Sequence, residues 1–124
     1  MIKKKNQNII KSFQYAFQGI KHSFVYEKNM SVHFLIAILI LVLGFILNIS
    51  IIEWLFCITF IGLVIGTELI NTSIEALLDV THPEVHPLVK VAKDTAAGAV
   101  LIFSLISAIG GLVIFIPKII DFIK

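Results

Sequence analysis

The sequence predicts an all-α integral membrane protein, an amino-terminal amphipathic surface helix followed by three transmembrane helices, in one domain covering residues 1–124. Three observations lead there. The chain is 58% hydrophobic and 15% charged, with mean hydropathy +1.00, whereas soluble domains carry about a quarter charged residues. Three stretches approach the roughly 20 apolar residues that cross about 30 Å of hydrocarbon. Ahead of them, apolar residues recur at helical spacing instead of forming a continuous run.

The first element is expected at about residues 8–27. Ile9, Phe13, Ala16, Phe17, Ile20 and Phe24 alternate with Lys11, Gln14, Gln18 and Lys21, the pattern of a helix lying in the membrane interface. The basic start Met1-Ile2-Lys3-Lys4-Lys5 leads into this mixed stretch and not into a short apolar segment with a cleavage site, so the amino terminus is expected to be retained. The spans are expected at about 34–52, 54–78 and 96–116, the last stopping at Pro117. Only a few residues around Glu53 separate the first two, which implies a tight helical hairpin.

Lysines set the orientation. Lys3, Lys4, Lys5, Lys11, Lys21, Lys28, Lys90 and Lys93 fall on the side of the amino terminus and second loop, against Lys118 and Lys124 on the other. The positive-inside rule therefore places the amino terminus and the segment from Val80 to Thr95 in the cytoplasm of a multi-pass cell-membrane protein. Trp54 and Phe115 suit the outer interface. With net charge +2 and no arginine, nucleic-acid binding is a poor hypothesis. The single Cys57 lies in an apolar run and has no internal partner.

The second span carries an anomaly. At about 100° per residue, Asn71, Glu75 and Asp79 lie at roughly −60°, −20° and +20° from Glu68, so all four share one face. Glu68 stands roughly 21 Å along the helix from Trp54, hence within about 10 Å of the cytoplasmic boundary. An ionisable residue inside a span is costly and marks a functional site by default. A helix from about Pro87 would bring Lys93 and Asp94 level with Asp79, with Ala96-Ala97-Gly98-Ala99 below them small enough for close helix approach. Glu27, between surface helix and first span, lies at the same height. Carboxylates beside a lysine at a membrane surface suit magnesium, a nucleotide phosphate and proton abstraction from an attacking hydroxyl. No G-x-x-x-x-G-K-[ST] occurs, so an ATP site here is not a P-loop. Three readings remain open: a metal and phosphate site, a small proton- or cation-coupled transporter with Glu68 as relay, and a non-catalytic scaffold. Transporter sites lie near the midplane, and a scaffold leaves the ionisable row unexplained. His22, His33 and His82 lack metal-ligand spacing and read as interfacial polar residues; Gly62 and Gly66 form a G-x-x-x-G that marks a close helix contact.

The run Glu68-Leu69-Ile70-Asn71-Thr72-Ser73-Ile74-Glu75-Ala76-Leu77-Leu78-Asp79, followed by Ala92-Lys93-Asp94-Thr95-Ala96-Ala97-Gly98-Ala99-Val100, closely resembles the prokaryotic diacylglycerol kinase family. The likeness extends from about Ile9 to Pro117. Glu27-Lys28-Asn29-Met30 leading to His33, Ile51-Ile52-Glu53-Trp54 and Phe115-Ile116-Pro117-Lys118 resemble its Gram-positive branch, whose members phosphorylate undecaprenol. The resemblance implies a homotrimeric bundle with sites shared between subunits at the cytoplasmic surface. It implies transfer from ATP, with Mg2+, to a lipid alcohol, undecaprenol first and diacylglycerol as the alternative. Residue by residue, it implies Glu68 as general base, Glu27 and Glu75 as magnesium ligands, and Tyr15, Glu27, Glu75, Asp79, Glu84, His86, Lys93 and Asp94 at the nucleotide. Asn71 and Ala97 are implied as supporting or substrate positions beside Glu68. Asn8 and Ser31 replace basic residues common in the family, so contacts of those side chains do not carry over.

Overall fold

The computed structural model describes residues 8–124 and contains four helices: α1 (Ile9–Tyr26), α2 (Lys28–Ile46), α3 (Ile51–Thr81) and α4 (Pro87–Ile123). Lys3, Lys4 and Lys5, which contribute to the orientation argument, lie outside the described residues. α2, α3 and α4 are each long and apolar enough to cross a membrane. The expected fold class is thus present, with no strands among the described residues.

Local chemistry fixes each boundary. Asn8 caps α1, its Oδ1 accepting from the Ile10 N–H at 3.2 Å. The helix ends because Glu27 is extended, at φ −107° and ψ 114°. Ser31 Oγ donates to the Phe24 carbonyl across this break at 3.2 Å, and Phe24 packs edge-on against Phe34. Asn8 and Ser31, the two departures from the family pattern, therefore both have structural partners here.

The hairpin lies earlier than the hydropathy suggested. The first span was expected to reach residue 52, but α2 ends at Ile46 and α3 begins at Ile51. Asn48 takes a left-handed conformation, φ 52°, which asparagine tolerates better than branched residues do. Asn48 N–H donates to the Phe45 carbonyl and Ile49 N–H to the Gly44 carbonyl, the paired bonds of a Schellman ending. Leu43 packs against the buried cluster to which Ile49 belongs. Ser50 and Glu53 then form a reciprocal capping box that starts α3. Hydropathy alone cannot see such a turn, because Leu47, Ile49, Ile51 and Ile52 keep the stretch apolar throughout.

α4 starts as expected at Pro87, where the missing N–H costs nothing, and His86 Nδ1 accepts from the Leu88 N–H. Its far end differs from expectation: the helix continues through Pro117 to Ile123. A proline removes one ladder bond, yet transmembrane helices accommodate it. Here Lys118 Nζ reaches Glu53 Oε1 at 3.3 Å, tying the continued helix to the start of α3.

α3 is central. It packs against α4 on one side and α2 on the other, while α1 rests on α2 and α3. A buried cluster of Ile49, Cys57 and Phe115 closes the hairpin end. Phe115, expected at an interface, turns inward because α4 there faces the turn. Trp54 covers Gly44 so closely that a Cβ added to the glycine would lie 2.6 Å from the ring, and the Phe60 ring covers Gly110 in the same way. By contrast, nothing lies within 4 Å of a Cβ built on Gly62, Gly66 or Gly98, so these three glycines make no close helix contact within the chain. The α2 and α4 backbones do not approach each other closely, although Ile40 and Leu43 of α2 pack against the cluster that contains Phe115 of α4. A groove of about 420 Å³ runs between them, floored by Phe60 and Val64 of α3 and walled by Ile36, Ile40, Ser107 and Gly111.

Gly44→Ala is expected to destabilise the hairpin by about 1–3 kcal/mol through overpacking against Trp54. Gly111→Ala, where nothing lies within 4 Å of the added Cβ, is expected to be neutral or slightly stabilising. Unfolding in detergent, compared for the two variants, checks this.

Candidate functional site at the carboxylate row of α3

Burial declines stepwise along the polar face of α3. Glu68 is 3% exposed and Asn71 is 7% exposed. Glu75 is half-buried and Asp79 is exposed. α3 contains 31 residues, or roughly 46 Å of helix against about 30 Å of hydrocarbon. Its last turns therefore have to leave the apolar layer, and the row follows them out.

Each member has a polar partner, at the two ends of the row from a neighbouring helix and in the middle from α3 itself. Glu68 Oε2 lies 3.7 Å from His33 Nε2 of α2. Asn71 Nδ2 donates to Glu75 Oε1 at 3.4 Å, one helical turn apart. Asp79 Oδ1 accepts from Lys93 Nζ of α4 at 2.5 Å, as the matching heights predict. Lys93 precedes the apolar part of α4. Its hydrogen bond to Asp79 raises the ammonium pKa above the ordinary lysine value, with the charges of Asp79 and Glu75 adding and desolvation opposing. The group therefore stays cationic across the neutral range.

α1 completes the cluster. Buried Ser23 donates to Thr72 Oγ1 of α3 at 3.5 Å, holding the end of α1 beside the row. Glu27 follows directly, half-buried, in the N-cap position of α2, and its carboxylate makes no capping hydrogen bond. The charges of Glu27, Glu75 and His33 all bear on Glu68.

Not every expected residue joins. Asp94 pairs with Lys90 one turn away at 2.5 Å instead of facing α3. Tyr15 is 53% exposed on α1, Glu84 and Ala97 are exposed, and the His86 ring caps α4. Conversely, His33, expected as an interfacial polar residue without a site role, is the partner of the most deeply buried carboxylate. The signal was the α2 face: Met30, His33, Ala37 and Gly44 recur at steps of three, four and seven residues, and Met30, Ala37 and Gly44 are all buried. His33 falls on that inward stripe.

The donor chemistry suits a hard cation bound together with a phosphate. Among the described residues no group of three or more His, Cys, Asp or Glu forms a complete metal cage. Magnesium does not need one, since it binds through one or two carboxylates plus phosphate oxygens and water. Glu27 and Glu75 supply carboxylates, and buried Asn71 Oδ1 is an oxygen without a hydrogen-bond partner.

An amphipathic helix, three membrane-crossing helices and a carboxylate row leading from the apolar layer to solvent define a small integral membrane protein with an acidic site at the bilayer edge. The chain belongs to the prokaryotic diacylglycerol kinase family, whose model matches residues 14–115. It is 45% identical over 108 residues to the undecaprenol kinase of Bacillus subtilis, covering 87% of this chain and 88% of that one. It is 35% identical over 96 residues to a diacylglycerol kinase of Helicobacter pylori, covering 77% and 75%. A Synechocystis diacylglycerol kinase is 30% identical over 115 residues, covering 92% of this chain and 66% of the relative. The resemblance seen in the Glu68–Asp79 and Ala92–Val100 motifs is thus borne out.

Ser23→Leu is expected to push α1 off α3 at a cost of about 1–3 kcal/mol, because the site is filled. Amide hydrogen exchange should show α1 losing protection while α3 and α4 keep theirs.

Proposed function

We propose that this protein is a lipid kinase that transfers the γ-phosphoryl group of MgATP to the hydroxyl of a membrane alcohol, with undecaprenol as preferred acceptor and diacylglycerol as second. The carrying observation is the graded row: a buried carboxylate at Glu68 and, further along the same face, an exposed Asp79–Lys93 pair. A lipid hydroxyl and a water-soluble nucleotide need such a site, since one reactant comes from the membrane and the other from solvent. The name of the Bacillus subtilis relative supports undecaprenol, and those of the other relatives support diacylglycerol.

The chemistry follows from position. Glu68 takes the proton of the acceptor hydroxyl as its oxygen forms a bond to the γ-phosphorus. The bond from that phosphorus to the β,γ-bridging oxygen breaks, and ADP leaves. Lys93, held by Asp79, offsets negative charge on the phosphates. Glu27 and Glu75 would hold Mg2+, with Asn71 supporting; the ion neutralises phosphate charge when bound. Tyr15, Glu84, His86 and Asp94 are assigned to the nucleotide and Ala97 to the lipid side, on family resemblance alone.

Residues 1–124 form one catalytic domain, with the amino terminus and site on the cytoplasmic face, supported by the lysine asymmetry. A homotrimer with shared sites is assigned on family resemblance, and the unfilled faces at Gly62, Gly66 and Gly98 leave room for helices of other subunits. The transporter reading lacks a path: below His33 the groove is lined by aliphatic and aromatic side chains with Cys57, Ser104 and Ser107, and by no carboxylate.

Labelled γ-phosphate is expected to reach undecaprenol, and more slowly diacylglycerol, in mixed micelles with magnesium. Absence of transfer to both overturns the reading. Glu68→Gln is expected to lower kcat by about 10²–10⁴-fold with MgATP binding retained. Glu75→Gln is expected to weaken magnesium-dependent nucleotide binding itself, measured by equilibrium titration, and chelation by EDTA should abolish transfer.

A further inference from the structure

His33 is the one basic side chain within 4 Å of Glu68 among the described residues. The lysine nearest the row, Lys93, is engaged by Asp79 further out. Glu68 meanwhile feels two further carboxylates, Glu27 from the α1–α2 junction and Glu75 from its own helix. A buried carboxylate in such company needs a donor or a cation beside it. The His33 side chain is 18% exposed, that of Glu68 4%, so water does little of that work.

The ring has a second neighbour. His33 lines the groove between α2 and α4, so it borders both the apolar groove and, at 3.7 Å, the Glu68 carboxylate. Its place on α2 is fixed by buried Met30 and Ala37, one turn to either side.

We propose that His33 is a positioning residue for Glu68, engaging Oε2 so that Oε1 is presented to the acceptor hydroxyl at the head of the groove. This rests on the reading of Glu68 as the base. The 3.7 Å separation is longer than a hydrogen bond, and a small closure on acceptor binding makes it one. No proton is consumed: the base accepts the alcohol proton as before, and His33 sets which oxygen accepts it.

The test compares His33→Leu, which removes the donor, with His33→Gln, which keeps an N–H, in the full-length protein in mixed micelles. His33→Leu is expected to lower kcat about ten- to a hundredfold, with KM for MgATP within about twofold, and His33→Gln to recover most of the loss. An unchanged kcat in His33→Leu, a KM for MgATP that rises as far as kcat falls, or a His33→Gln variant no better than His33→Leu overturns the proposal. Ring 15N resonances give a readout independent of turnover. Glu68→Gln should move those of His33 and leave those of His82 and His86 in place; no movement at His33 also overturns it. Absence of phosphoryl transfer by the unaltered protein defeats the kinase reading and this proposal together, whereas transfer without a His33 effect defeats the proposal alone.

Discussion

The arrangement depends on one constraint: a carboxylate, Glu68, is kept 3% exposed on a helix that crosses the membrane. Removing a carboxylate from water is expensive, and attraction to a partner offsets this only when the geometry is good. Three elements converge to meet that demand. α2 brings His33 to within 3.7 Å. α1 is pinned by Ser23 to Thr72, one turn beyond Glu68, and shields that end of α3. α3 overshoots the apolar layer, so that Glu75 and Asp79 emerge progressively and are not stranded in it.

Contacts at the opposite end of the molecule set this alignment. The Schellman ending at Asn48, the capping box of Ser50 and Glu53, and the Trp54 ring lying on Gly44 fix how far α2 is turned and displaced relative to α3. A helix propagates such a setting with little loss, since each residue is held by the bond to its predecessor one turn away. The rotation that brings His33 to face Glu68 is therefore decided many residues away, in a turn with no chemistry of its own. The Lys118–Glu53 pair extends the same control to α4.

This explains which parts of the protein were legible in its sequence. The three spans, the amphipathic α1 and the shared face of Glu68, Asn71, Glu75 and Asp79 follow from hydropathy and the 3.6-residue period, which are properties of one helix at a time. The Lys93–Asp79 meeting was also legible, because two antiparallel helices leaving one surface can be compared by height alone. The His33–Glu68 pairing was not, since it depends on rotation about the α2 axis. The hairpin differs from the hydropathy expectation for a related reason: its residues are nearly as apolar as the helices they join, with only Asn48 and Ser50 polar between Leu47 and Ile52. Yet Ser50-x-x-Glu53 is itself a capping-box signature, so the start of α3 was written there. Gly62 and Gly66 find no close partner within the chain. Their spacing signals close approach, but within the chain that approach occurs at Gly44 and Gly110, where the facing ring is a tryptophan or a phenylalanine.

The division of labour along α3 follows from the same gradient. At the exposed end, Asp79 and Lys93 form a short ion pair, but exposed pairs contribute little to stability. What the pair supplies is a lysine kept charged and held in place where a polyanion can approach from water. At the buried end, the same charge type has the opposite character. Each ångström out of water raises the cost of ionisation and strengthens any interaction with a neighbour. In the proposed reaction a carboxylate that takes up the proton of a lipid hydroxyl belongs beside the apolar layer, and one that holds a divalent ion belongs near water. The order of the row, with Glu68 deepest and Glu75 and Asp79 progressively outward, fits the roles proposed for them. That order is fixed by where α3 crosses the edge of the hydrocarbon.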